Sequence, residues 1–188
     1  MRNYKFRIAY NEKSTTQMKV LSTYKILKAK AFDETIDESW IDWAIEMIEA
    51  NYESENLYML AGETKPYNQF ELRELTSKVL KDLNLDYSNK EEVIANYSYY
   101  LISNSIDSPE TYFKTLQELS DICLMLDYSP VYMDFHLLYY AKMDLRVDVV
   151  QWYWGGADRN NIDQIIKEKF QEWINDFENN RTHPVSRT

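Results

Sequence analysis

The sequence predicts an all-α protein: an irregular bundle or a short HEAT-like stack of about six to eight antiparallel helices. Three observations predict it. First, the 188 residues include only 3 glycines and 4 prolines, well under the usual ~7% and ~5%. A sandwich or barrel, which turns about every 8–12 residues, has no material for its corners. Second, capping signatures recur along the chain. Third, apolar residues follow those caps at helical spacing, so each helix has one side to bury.

The elements follow in order. "NYKFRIAY" alternates Tyr4, Phe6, Ile8 and Tyr10 with Lys5, Arg7 and Ala9, a period of two that reads as an extended basic arm over residues 1–15. Residues 16–179 read as one helical domain. Val20, Tyr24, Leu27 and Ala31 stripe its first helix. Thr35 with Glu38 forms a capping box before Trp40, Ala44, Met47 and Ile48. Ser54 caps a helix expected to stop at Gly62, and Asn68 with Glu71 opens the stripe Leu72, Leu75, Val79 and Leu83. Ser88 with Glu91 starts a helix bearing Tyr97, Tyr99 and Tyr100, where Tyr97 and Tyr100 share a face and Tyr99 turns away from it.

Ser108 with Pro109 precedes Tyr112, Leu116, Leu119, Cys123 and Leu126. Residues 145–150, "LRVDVV", alternate like a strand. Leu138, Ala141, Leu145, Val149 and Trp152 also fit one long helix stopped by Gly155 and Gly156, and the helix is the preferred reading. Asn161 with Gln164 opens the last stripe, Ile162, Ile166, Phe170, Trp173 and Phe177, and residues 180–188 read as a disordered tail. A shift of 54 residues aligns Met47, Ile48, Ser54 and Tyr58 with Leu101, Ile102, Ser108 and Tyr112. A repeat of helical hairpins and a chance match of capped helices both fit it.

Charge is unevenly spread. Residues 1–30 carry eight Lys/Arg against Glu12, a net +7, which leaves 13 bases and 30 acids, a net −17, for the rest. Such a body repels phosphate backbones and anionic lipid, so nucleic-acid and membrane binding are disfavoured and a basic protein partner is favoured. The same charges also suit plain solubility, or docking of the basic arm on the acidic body. No apolar run reaches the ~20 residues that span a bilayer. The single Cys123 cannot form an internal bridge, so a soluble, cytoplasmic protein is expected.

Catalytic sets are hard to assemble. Three glycines, two adjacent, cannot build a phosphate-cradling loop. The histidines are His136 and His183, the latter in the polar tail, so a nucleophilic triad or a zinc set would rest on His136 alone. Cys123 lies on an apolar stripe, where a thiol is inert. No catalytic residue, metal ligand or cofactor is assigned.

"VVQWYWGGADRNN" differs from the rest. Trp152, Tyr153 and Trp154 lie about 100° apart around a helix, so at least one ring must leave the core. With Arg159 they form a candidate partner-binding hot spot, to which Tyr99 is added. The other reading is that neighbouring helices wrap these rings.

The stretch "WAIEMIEANYESENLYMLAGETKPYNQFELRELTSKVLKDLNL", with Ala44, the turn at Glu53 and Ser54, Leu57, and the stop at Leu60, Ala61 and Gly62, resembles the start of small all-helical bacterial proteins from uncharacterised and toxin-immunity-like families. The resemblance covers roughly a quarter of the chain and carries over no functional residue. It implies binding without catalysis. The expected function is therefore a non-enzymatic protein that binds a basic partner, such as a toxin domain, through an acidic helical surface. The alternative is an enzyme or small-molecule binder with an interhelical pocket using Asp134 or Asp148 with Tyr139 or Arg146. Oligomeric state is left open.

Overall fold

The computed structural model describes residues 19–182, and the expected arm at 1–15 and the end of the expected tail, 183–188, lie outside them. Among the described residues the chain forms eight α-helices and no strand: α1 Thr23–Ala31, α2 Glu38–Glu49, α3 Glu55–Ala61, α4 Gln69–Asp82, α5 Lys90–Ser105, α6 Tyr112–Met125, α7 Met133–Val147 and α8 Ile162–Thr182. α8 thus continues three residues into the stretch read as tail. Two compact units divide at Tyr100 and Leu101.

In the first unit α1 packs on α2, α2 on α3, and α3 on α4. Its core collects Trp40, Trp43, Ala44, Met47, Leu57, Leu60, Leu72, Val79 and Leu80, nearly all fully buried. Trp40 and Trp43 meet edge to face at 6.1 Å, an arrangement that adds to their burial. The indole N–H of Trp43 donates to Thr23 Oγ1 at 2.9 Å. Gln69 from α4 takes both backbone groups of Ile36, donating to its carbonyl at 2.8 Å and accepting its N–H at 3.1 Å. Residue 36 is thereby held outside the helix that follows.

In the second unit α6 packs along α7, which meets α8. Phe170 of α8 lies between Tyr112 at 5.4 Å and Phe135 at 5.8 Å. The Tyr112 hydroxyl donates to the Ile106 carbonyl at 2.7 Å. Leu116, Leu119, Cys123, Leu138, Ala141 and Ile166 complete the buried layer.

The starts of the helices correct several expectations. Ser54 accepts the Leu57 N–H, and Asn68 accepts those of Phe70 and Glu71. At α2 the cap is Asp37 rather than Thr35, accepting the Ser39 N–H at 3.0 Å. The Ser39 hydroxyl first, and then its N–H, hold the Asp37 carboxyl below the usual aspartate range. At α5 Asn89, not Ser88, accepts the Glu92 N–H. Ser108 makes no capping bond, and Pro109 opens a short 3-10 turn, Pro109–Thr111, into α6. Asn161 accepts the Asp158 N–H behind it instead of capping forward.

The helix ends explain how a chain so poor in glycine turns its corners. Asp33, Asn51, Asn84 and Asp127 sit at φ of 54°, 66°, 54° and 51° just past α1, α2, α4 and α6. After each, the next N–H reaches back five residues: Glu34 to Ala29, Tyr52 to Met47, Leu85 to Leu80, Tyr128 to Cys123, all at 2.8–3.0 Å. These are Schellman closures with Asp or Asn where glycine is usual, since those two tolerate the left-handed region best among residues with a Cβ. The expected stop Gly62 has φ −87 and needs no such freedom. Because Asn84 is exposed, Asn84→Gly is expected to raise the unfolding free energy by about 0.5–1 kcal/mol and Asn84→Val to lower it by about 1–2 kcal/mol. Urea unfolding midpoints check both.

Burial does not follow the 54-residue shift. Tyr58 is 50% exposed while its counterpart Tyr112 is fully buried, and Ser54 caps where Ser108 does not. The long helix expected through Trp152 is also corrected: α7 ends at Val147, and Asp148 takes extended angles, φ −126 and ψ 171.

Candidate functional site

The segment after α7 is a loop because its side chains compete with a helix for backbone partners. Asp148 Oδ1 accepts the Val149 N–H at 2.6 Å. Gln151 Oε1 accepts the N–H groups of Tyr153 and Trp154, each at 2.8 Å, while its amide donates to the carbonyls of Trp154 at 2.5 Å and Ala157 at 3.0 Å. One side chain therefore replaces four helical bonds. Gly156 turns the chain at φ +81. Asp158 Oδ1 then accepts the Asn160 and Asn161 N–H groups, and the Asn161 amide donates to the Gly156 carbonyl at 2.9 Å.

Arg159 and Trp154 fasten this loop to the helices. Arg159 Nε donates to the Leu145 carbonyl at 2.7 Å, which satisfies an acceptor at the α7 C-terminus and places positive charge at the negative end of its dipole. Lys169 of α8 lies 5.7 Å from the Trp154 ring. Burial opposes the Lys169 charge, but Glu172 at 2.7 Å and Asp134 at 3.5 Å hold its ammonium above the usual lysine range.

Trp152 is what the loop presents. Its side chain is 89% exposed, and Val147, Val149 and Val150 beside it are exposed as well, Val147 at 85%. Tyr153 lies against Tyr140 at 5.2 Å. Tyr140 meets His136 at 5.0 Å, and His136 meets Tyr128 at 5.8 Å. Three ring contacts thus link the loop to the end of α6, where Leu124, Met125 and Tyr128 are exposed. Tyr139 touches Tyr140 and Phe113, and the Arg146 guanidinium covers Phe113 at 4.3 Å.

Of the five candidates, Trp152, Tyr153, Trp154 and Arg159 share this loop in different roles. Trp152 is the outward ring, Tyr153 is half in contact with α7, and Trp154 and Arg159 are anchors. Tyr99 belongs to the first unit, where its half-buried ring meets Tyr24 edge-on at 6.5 Å. Sequence reasoning missed Tyr128, His136 and Tyr140 as part of the surface. Their signal was the i, i+4 spacing of His136 and Tyr140 on α7.

The same geometry weighs on chemistry. His136 Nδ1 lies 2.8 Å from Ser120 Oγ, a nucleophile and base at working distance. Ser120, however, is only 2% exposed, so no substrate carbonyl reaches it. Cys123 is fully buried, burial pushes its thiol pKa up, and its Sγ faces the Ser129 carbonyl at 3.7 Å. Asp134 pairs with Lys169 and Asp148 serves Val149. Among the described residues no three His, Cys, Asp or Glu side chains gather where they could hold a metal, and no helix is long and apolar enough to cross a membrane.

Electrostatically the surroundings are acidic. Residues 101–182 hold 14 acids against 7 bases. Lys142, Lys167 and Lys169 are already paired with Asp163, Asp107, and Asp134 and Glu172.

Gln151→Ala is expected to leave global stability nearly unchanged while amide-exchange protection at Tyr153 and Trp154 drops about fivefold or more, since each lost bond is worth about 1 kcal/mol. Hydrogen exchange read residue by residue checks this. No protein family, curated protein or solved structure matches this chain.

Proposed function

We propose that this is a non-enzymatic binding protein whose 148–154 loop docks on a basic protein partner, in the manner of an immunity protein that neutralises a basic toxin domain. The observation that carries the reading is Trp152, a large apolar ring held in water by an ordered loop. Exposed tryptophans flanked by apolar neighbours anchor interfaces, where a few such residues supply most of the affinity. The acid excess around the loop favours a cationic partner and speeds its encounter. The cytoplasm, where a lone thiol stays reduced, suits such a protein.

Affinity capture with the full chain tests it, comparing the native protein with Trp152→Ala at low and high ionic strength. The expected result is one basic protein retained by the native chain at low salt and lost both with Trp152→Ala and at high salt. The same proteins held equally by both forms would overturn it.

A further inference from the structure

A different surface, on the first unit, has the character of a docking face. From Asp33 to Glu63 the chain holds ten acids and not one Lys or Arg. Several acids are used internally: Asp33 with Arg73, Glu34 with Lys28, Glu38 with Lys65, and Glu46 with the Ser22 hydroxyl. Asp42, Glu49, Glu53 and Glu55 are exposed and have no ion pair among the described residues.

Their placement is regular. On α2, Asp42, Ile45, Glu46 and Glu49 are spaced i, i+3, i+4, i+7 and form the outward stripe, opposite the buried Trp40, Trp43, Ala44 and Met47. On α3, Glu55, Tyr58 and Met59 lie outward from the buried Leu57 and Leu60, with Met59 55% exposed. Both helices of a packed pair therefore turn apolar side chains into water, beside the carboxylates of Asp42, Glu49 and Glu55, which have no ion pair among the described residues.

We infer that the outward α2–α3 face binds a basic amphipathic helix of a partner protein, its apolar stripe on Ile45, Tyr58 and Met59 and its Lys or Arg residues on Asp42, Glu49 and Glu55. Charge complementarity selects this occupant. Nucleic acid and anionic lipid are repelled by the carboxylates, and a second copy would bring like charge against like charge. A docked amphipathic helix needs apolar side chains to cover and opposite charge beside them, and on α2 Ile45 lies between Asp42 three residues before it and Glu49 four residues after it. The inference shares with the loop reading only the basic character of the partner and rests on residues of the other unit.

The test uses the full chain and a fluorescent lysine–leucine amphipathic peptide about 18 residues long, enough to hold a helix. A peptide of the same composition with its order scrambled is the comparison. Anisotropy titrations are expected to show at least about tenfold tighter binding of the ordered peptide at low salt, and about a tenfold loss with Asp42→Lys/Glu49→Lys and with Tyr58→Ser/Met59→Ser. All four sites are exposed, so circular dichroism melts should match the native chain. Phe70→Ser, which removes a 79% exposed ring on α4 outside these two helices, is expected to bind the peptide normally, which shows that the loss is specific to this face.

Equal binding of the scrambled peptide, indifference to both double substitutions, or an equal loss with Phe70→Ser would overturn the proposal. So would self-association abolished by those double substitutions, which would assign the face to a second copy. A tenfold gain with Arg2→Glu/Lys5→Glu/Arg7→Glu would assign it to the chain's own N-terminal segment, and the proposal would likewise fall.

Discussion

Trp152→Ala is expected to weaken partner binding by about 2–4 kcal/mol, or roughly 30- to 1000-fold, while unfolding free energy changes by no more than about 0.5 kcal/mol. The two readouts separate because the ring contributes nothing to the core: 89% of it faces solvent. Its position is nevertheless fixed. Gln151 holds the backbone on either side, Trp154 is covered by Lys169, and Arg159 is bound to the end of α7. A fixed aromatic ring loses little entropy on docking, which is why its removal is expected to cost more than removal of a mobile surface residue. Titration calorimetry against the captured partner, beside a urea melt, checks both halves.

Trp43→Ala is expected to do the reverse, lowering stability by about 3–5 kcal/mol. Trp43 is 1% exposed, packs edge-on against Trp40, and donates its indole N–H to the buried Thr23 hydroxyl. Truncation therefore leaves both a cavity and a hydroxyl whose remaining contact is Met47 Sδ at 3.7 Å. Trp43→Phe, which refills most of the cavity but not the hydrogen bond, should cost about 1–3 kcal/mol. Against a typical total of about 5–15 kcal/mol, the alanine variant loses a large share. Chemical denaturation of the three proteins side by side gives the comparison. If Phe and Ala cost the same, the hydrogen bond rather than the volume dominates at this site.

These two tryptophans also mark how far the sequence can be read. Trp43 lies next to the stripe that starts at Trp40, and the all-α architecture follows from such stripes and from caps like Ser54 and Asn68, whose partners are local. Such local signatures fail where a distant side chain intervenes. Thr35 looked correct until the Gln69 side chain, distant in sequence, claimed residue 36 and moved the start of α2 to Asp37. The left-handed Asp and Asn residues that close four helices are nearly invisible in sequence, because most Asp and Asn residues sit in ordinary conformations.

The candidate loop was partly legible. The run Trp152, Tyr153, Trp154 cannot all face one core, so an outward ring was implied, but which one depends on where α7 ends. The periodicity of Leu138, Ala141, Leu145, Val149 and Trp152 argued for a continuous helix. The carboxylate of Asp148 and the amide of Gln151 decided otherwise by taking the N–H groups a helix would have used. Side-chain competition of this kind leaves no mark on hydrophobic spacing. The same is true of the ring contacts from Tyr153 through Tyr140 and His136 to Tyr128, which join residues from separate elements.

If an acidic body attracts a basic partner and an exposed tryptophan retains it, the two effects fall on different rate constants. Stopped-flow association and dissociation of the captured partner, across ionic strength and for native and Trp152→Ala chains, tests this most directly. The expected result is an association rate that falls at least about tenfold from low to high salt for both chains, and much faster dissociation for Trp152→Ala alone. An association rate indifferent to salt, or a Trp152→Ala complex that dissociates at the native rate, would contradict it.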